Sequence, residues 1–198
     1  MEFSEKDLED IIFDASQNFE TRGDLVDRGL DLPLYGKMYR QVNFGTYGIA
    51  DLINVWIEST ILDNGFVSRL LNIEIIELKK DTIGNKALNQ ACRYLKAIRV
   101  LWDGLDNTHF DDILPHITLI GSNIDNSNES SFVFLYNELE NWVDIYSYKY
   151  KYDGIWFEKE SHSWQKSNPT FTTELKNLLL NPGVSELKQC VTIKHYKK

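Results

Sequence analysis

The sequence predicts a mixed α/β fold, a central sheet flanked by helices, and two patterns carry the prediction. Short apolar runs rich in β-branched residues fall at residues 49–59 (IADLINVWIES), 71–78 (LNIEIIEL) and 116–120 (HITLI), and runs of that kind read as buried strands. Around them, residues 4–19 and 86–101 repeat apolar side chains at helical spacing. The order helix, three strands, helix, strand calls for helices packed on a sheet. A chain of 198 residues with 42% hydrophobic content can bury one full core. Residues 1–160 are expected to form that domain, with 161–198 an appendage packed on it.

Ser4-Glu-Lys-Asp is a capping-box-like start for the first helix, whose apolar stripe runs Leu8, Ile11, Ile12, Ala15 and Phe19. On that stripe Glu5 lies near the edge and Glu9 further round, towards solvent. Residues 21–34, with Arg22-Gly23-Asp24, Gly29 and Pro33, read as loop and turn. Residues 34–42 follow as a first strand, and Asn43 to Gly48 (NFGTYG) turn it back into the second. Asp63-Asn64-Gly65 is a turn signal before the third strand, so the three make an antiparallel meander. The second helix, 86–101, has the stripe Leu88, Ala91, Cys92, Leu95 and Ile98, with Cys92 as a small core residue. A fourth strand ends at Gly121, and residues 132–142 read as a further helix. Val143 to Tyr150, then Asp153-Gly154 and IWFE, suggest a late hairpin; residues 173–180 suggest a last short helix.

A net charge of −9 argues against a non-specific nucleic-acid binder, which usually shows a basic face. Lys79, Lys80, Lys86, Arg93, Lys96 and Arg99 nevertheless cluster in one segment, either as a solvated helix face or as a local basic patch. No apolar run approaches the ~20 residues of a membrane span, and the acidic start is not a secretory signal. Two cysteines supply no disulfide framework, so a cytoplasmic setting is expected. The four histidines show no metal-ligand spacing, and phosphate-loop and nucleophile-elbow motifs are absent from the sequence.

The third strand carries the chemistry. Glu77 and Lys79 are two apart at its apolar end, hence on one face. Charges buried in a sheet are costly unless paired or bound to metal. Asp51 is the acid of the preceding strand. Carboxylates on neighbouring strands can share a hard cation, and Mg²⁺, with Mn²⁺ as substitute, suits Asp51, Glu77 and a substrate phosphate. Lys79 can stabilise developing charge there. Gln90 and Tyr94, four apart on the following helix, can orient an attacking group or contact phosphate.

The ordered set Asp51, Glu77-x-Lys79, Gln90-x-x-x-Tyr94 resembles the PD-(D/E)XK nuclease superfamily, and within it the NucS-type and RecB-like endonuclease domains. The resemblance covers residue 4 to about residue 120. It implies a restriction-endonuclease-like fold and metal-dependent hydrolysis of DNA. It also implies that Glu5, on the first helix, joins the metal site, and that Arg40 and Gln41 approach nucleic acid. Lys80 and Arg93 are further candidates for DNA contact. Tyr47-Gly48 stands where NucS-type proteins commonly carry Gly-Arg. The alternative is a nuclease-fold nucleic-acid-binding or protein-interaction module that no longer cleaves. Oligomeric state, homodimer or protein partner included, stays open.

Overall fold

A computed structural model describes residues 4–34, 36–61, 66–105, 109–127, 132–139 and 142–160. The expected appendage, the last short helix and the Asp63-Asn64-Gly65 turn lie outside the described residues.

Helix α1 (Glu5–Gln17) opens on the expected capping box: Ser4 Oγ accepts the Asp7 N–H, and Asp7 Oδ2 accepts the Ser4 N–H. Helix α2 (Phe19–Asp27) corrects the loop expected over residues 21–34. Asn18 ends α1 in an extended conformation, and its Oδ1 accepts the Glu20 N–H at 2.9 Å, which caps a new helix. The Arg-Gly-Asp triplet is therefore helical. Leu25 is buried, so one apolar anchor and a cap outweigh the helix-weakening Gly23. Gly29, at φ +93°, lets the chain leave α2 hard against β8 (Gly154–Lys159), where an added Cβ would fall 2.2 Å from the Phe157 carbonyl oxygen.

Strands β1 (Lys37–Asn43), β2 (Ile49–Ile61) and β3 (Val67–Leu78) form the antiparallel meander, with a short 3₁₀ turn at Gly45–Tyr47. Strand β4 (Thr82–Ile83) leads into α3 (Asn85–Asp103). Strand β5 (Asp112–Gly121) returns parallel to β3, as a helical crossover requires. After β6 (Asn123–Ile124), which pairs with β4, come α4 (Phe132–Glu138) and β7 (Val143–Lys151). β7 is parallel to β5 and turns back into β8 as the expected hairpin. The result is a mixed six-stranded sheet, β1-β2-β3-β5-β7-β8.

The core lies in two layers, one on each face of that sheet. Leu8, Ile12 and Ala15 of α1 pack with Leu52, Ile76 and Leu78 on one face. Leu88, Ala91 and Tyr94 of α3, with Phe132 of α4, pack with Ile53, Ile75 and Leu119 on the other. Full burial of each leucine, isoleucine or phenylalanine among them contributes roughly 1.5–3 kcal/mol. The α3 stripe is turned from the expected one: Ala87, Tyr94 and Ala97 are buried, whereas Cys92 is exposed and is not a core residue. The large Tyr94 ring takes the centre of the stripe, which moves Cys92 out to the flank.

The α1 stripe is also turned. Glu9 and Ser16 are buried, and Phe19 is 83% exposed and belongs to α2. Without Phe19 the stripe centre rotates towards Glu9. The placing of Glu9 towards solvent is thus overturned. Glu5, expected to look inward, is the exposed one, because it sits in the first turn beyond the edge of the packed layer.

Candidate functional site

The site forms where β1 and β2 stop behaving as regular strands, beside the end of β3. Met38 and Leu52 pack on the α1 side of the sheet, yet Val42 and Ala50 pack on the α3 side. Regular strands would keep positions of like parity on one face. The register pairs Arg40 with Leu52 and Val42 with Ala50, so Gln41 and Asp51 stand opposite each other at the switch. Gln41 has φ +47°, a left-handed conformation that is unusual for a side chain of this kind. Asp51 is thereby presented at the point where both faces of the sheet are within reach.

Backbone accounting explains the next contact. The β2–β3 ladder ends at the pair Leu52–Ile76. Beyond it, the Leu78 N–H donates to Asp51 Oδ2 at 2.9 Å, so a side chain supplies the acceptor that a further ladder step would have provided. The same register, continued one step, sets Asp51 opposite Glu77, with both carboxyl groups at the end of the hairpin.

Glu77 is fully buried, and Lys79 is partly exposed. Lys79 Nζ donates to Glu77 Oε1 at 2.6 Å and to the Leu78 carbonyl at 2.9 Å. Glu77 Oε2 is buried with no hydrogen-bond partner. Burial, then the charge of Asp51, pushes the Glu77 carboxyl up to about 7 in spite of Lys79. Burial also raises Asp51, against the Leu78 N–H and Lys79, and the charges of Glu5 and Glu9 add to the rise. For Lys79, burial favours the neutral amine, but the Glu77 hydrogen bond and the charges of Glu77, Asp51 and Glu5 outweigh it and hold the ammonium above its ordinary value.

Glu5 reaches this group from α1: its Oε1 accepts the Lys80 N–H at 2.9 Å. On the opposite face, the Tyr94 hydroxyl donates to the Ile49 carbonyl and accepts from Gln90 Nε2 at 2.7 Å. Gly48, at φ +116°, makes room for that ring, since a Cβ there would lie 3.0 Å from Tyr94 Cε1. Phe44 stacks on it with centroids 5.7 Å apart. Tyr94 and Gln90 thus act on the backbone two residues before Asp51.

The residues assigned to nucleic acid divide. Arg93 is exposed on α3. Lys80 is partly buried beside the site, with its backbone held by Glu5. Arg40 is partly exposed and is engaged by α1: it donates to Glu9 Oε1 at 2.7 Å and to Asp10, and lies over the Phe13 ring. Gln41 Nε2 donates to the other Glu9 oxygen at 2.7 Å. Glu9 is the site residue missed in the sequence. The signal that could have found it is its place one turn beyond Glu5 and next to Leu8, on the same buried stripe.

Two hard-oxygen carboxylates, both raised by burial and one with a buried unpartnered oxygen, are short of positive charge. That donor chemistry fits a divalent cation such as Mg²⁺. Asp51 and Glu77 would hold such an ion, with water and substrate oxygens in its shell.

No protein-family model, curated protein or solved structure matches this chain. Among the described residues, no helix is long and apolar enough to cross a membrane.

Proposed function

We propose that the protein is a divalent-metal-dependent nuclease that hydrolyses DNA phosphodiester bonds. One observation carries the reading: Asp51 and the buried Glu77 meet at the end of the β2–β3 hairpin with the Lys79 ammonium on Glu77. Asp51 and Glu77 would hold the metal. When bound, the metal would supply Lewis-acid stabilisation of phosphate charge and a more acidic water.

The chain's own groups have separable tasks. Lys79 keeps a fixed positive charge where negative charge grows as water oxygen bonds to phosphorus and the leaving oxygen departs. Glu5 holds the Lys80 backbone, which fixes the exit of β3 next to Lys79. Tyr94, supported by Gln90, holds Ile49 and so sets the entry of β2 next to Asp51. This is the preorganisation that positioning needs.

The test is incubation of the purified chain with MgCl₂ or MnCl₂ and single-stranded, duplex or branched DNA. Metal-dependent cleavage that disappears in Glu77→Ala/Lys79→Ala is expected. Cleavage that survives in that double variant sinks the assignment. A second reading, a nuclease-like module that does not cleave, is favoured by the neutralisation of Arg40 by Glu9 and Asp10. It predicts no cleavage with either metal and no metal binding at Asp51 and Glu77.

A further inference from the structure

On the α1 side of the sheet, at the far end of the strands from Asp51 and Glu77, lies a cavity of about 400 Å³. Its floor is read directly from the register. Trp56 stands opposite Asn72, and Glu74 stands between Asn54 and His116. Trp142, Asp144 and Asp31 contribute to the walls.

Glu74 is 2% exposed, and its Oε1 accepts the Thr118 hydroxyl at 2.7 Å. Its other oxygen, Oε2, is buried without a partner, and so is the Nδ2 of Asn72. Burial raises the Glu74 carboxyl, against the Thr118 hydrogen bond and His116, and a buried acid with one oxygen unused is costly until a cation or donor meets it. Asp144 has its charge offset by Lys159 Nζ at 2.8 Å and lies 3.4 Å from His116 Nε2. Glu74 and Asp31 form no ion pair among the described residues. The cavity wall thus carries acidic groups that a cation can meet more readily than an anion. Two indoles, with Leu32 and Pro33, give it aromatic and apolar surface as well. A buried acid next to tryptophan suits an organic cation, which favours the charged form of the acid and meets the negative face of the indole. A volume of this size accepts a ligand of amino-acid scale.

We propose that this cavity is a binding site for a small organic cation, an amine or guanidinium, held by Glu74 against Trp56 and Trp142. The site is independent of the carboxylates at the hairpin end, and its failure would leave the nuclease reading untouched.

Isothermal titration of the full chain with agmatine, a guanidinium probe, tests it. Saturable binding is expected, weakened by about tenfold or more in Glu74→Gln, as loss of a desolvated charge partner entails. Trp142 is 46% exposed, so Trp142→Ala keeps the fold and should weaken binding several-fold. It serves as the deciding variant if circular dichroism shows that Glu74→Gln unfolds. Absence of saturable binding overturns the proposal, as does agmatine affinity unchanged in Trp142→Ala and in folded Glu74→Gln. Preference for guanosine monophosphate over agmatine also overturns it, since an anion would then occupy the site.

Discussion

Lys79 Nζ lies 2.6 Å from Oε1 of the fully buried Glu77, although the two side chains leave the same end of β3. The contact has two readings with different consequences. If Lys79 serves catalysis, Lys79→Ala should abolish cleavage and leave Mn²⁺ affinity equal or slightly tighter, because a repelling charge beside the cation is gone. If it merely neutralises Glu77, the variant should lose much apo stability yet cleave normally when folded. Thermal melts beside Mn²⁺ titrations and cleavage rates separate the two.

Glu77 also makes the stability of the metal-free protein depend on pH. Its folded value, about 7, lies above the ordinary 4.5, so the fold prefers the protonated acid. That preference is fully present below about 4.5 and is lost as pH rises through about 7. Glu77→Gln, which keeps the neutral shape, should melt close to the parent at pH 5 and higher than it at pH 8, in scans with chelator present. A parent that grows more stable relative to the variant across that window would contradict the assigned direction.

Tyr94 is expected to act through Ile49 rather than on substrate. Tyr94→Phe removes the donor to a backbone carbonyl and should cost about 1–2 kcal/mol, measured by urea unfolding. Cleavage should fall with kcat while KM for DNA holds, since Asp51 loses its positioning and no substrate contact is removed.

Arg40, held by Glu9 and Asp10, is expected to support the protein rather than to meet phosphate. Arg40→Ala leaves Glu9 without its cation and should destabilise by about 1–2 kcal/mol. The salt dependence of DNA binding should keep its slope, whereas a phosphate contact would lower it by roughly one. Arg93→Ala, on an exposed face of α3, gives the opposite pair of results if Arg93 meets the backbone.

The elements that were legible in the sequence are those with a local signal. The Ser4 capping box, the β-branched runs of β2 and β3 and the hairpin of β7 and β8 each announce themselves within a few residues. What was not legible depends on partners far along the chain. Helix α2 hangs on the Asn18 cap and the burial of Leu25, neither of which stands out among Gly23, Gly29 and Pro33. Glu9 looks like a solvent-facing helix residue until Arg40 and Gln41 arrive from β1. Cys92 and Tyr94 compete for one stripe, and only the sheet beneath decides that the larger ring wins. The face switch at Gln41 has no sequence signature at all, since glutamine is not a residue that asks for a positive φ.

The hairpin register of β2 and β3 bears on how the molecule assembles. Asp51 and Glu77 belong to strands joined by a short connection, whereas β5 and β7 pair only after long crossovers through α3 and α4. Closing a short loop costs less entropy than closing a long one. The two acids should therefore meet early in folding, while the rest of the sheet is still unpaired. Pulsed hydrogen exchange during refolding should protect the amides of β2 and β3 before those of β7. In Asp51→Asn/Glu77→Gln that early phase should quicken, because two like charges no longer confront each other in a half-built protein that has yet to acquire its remaining strands.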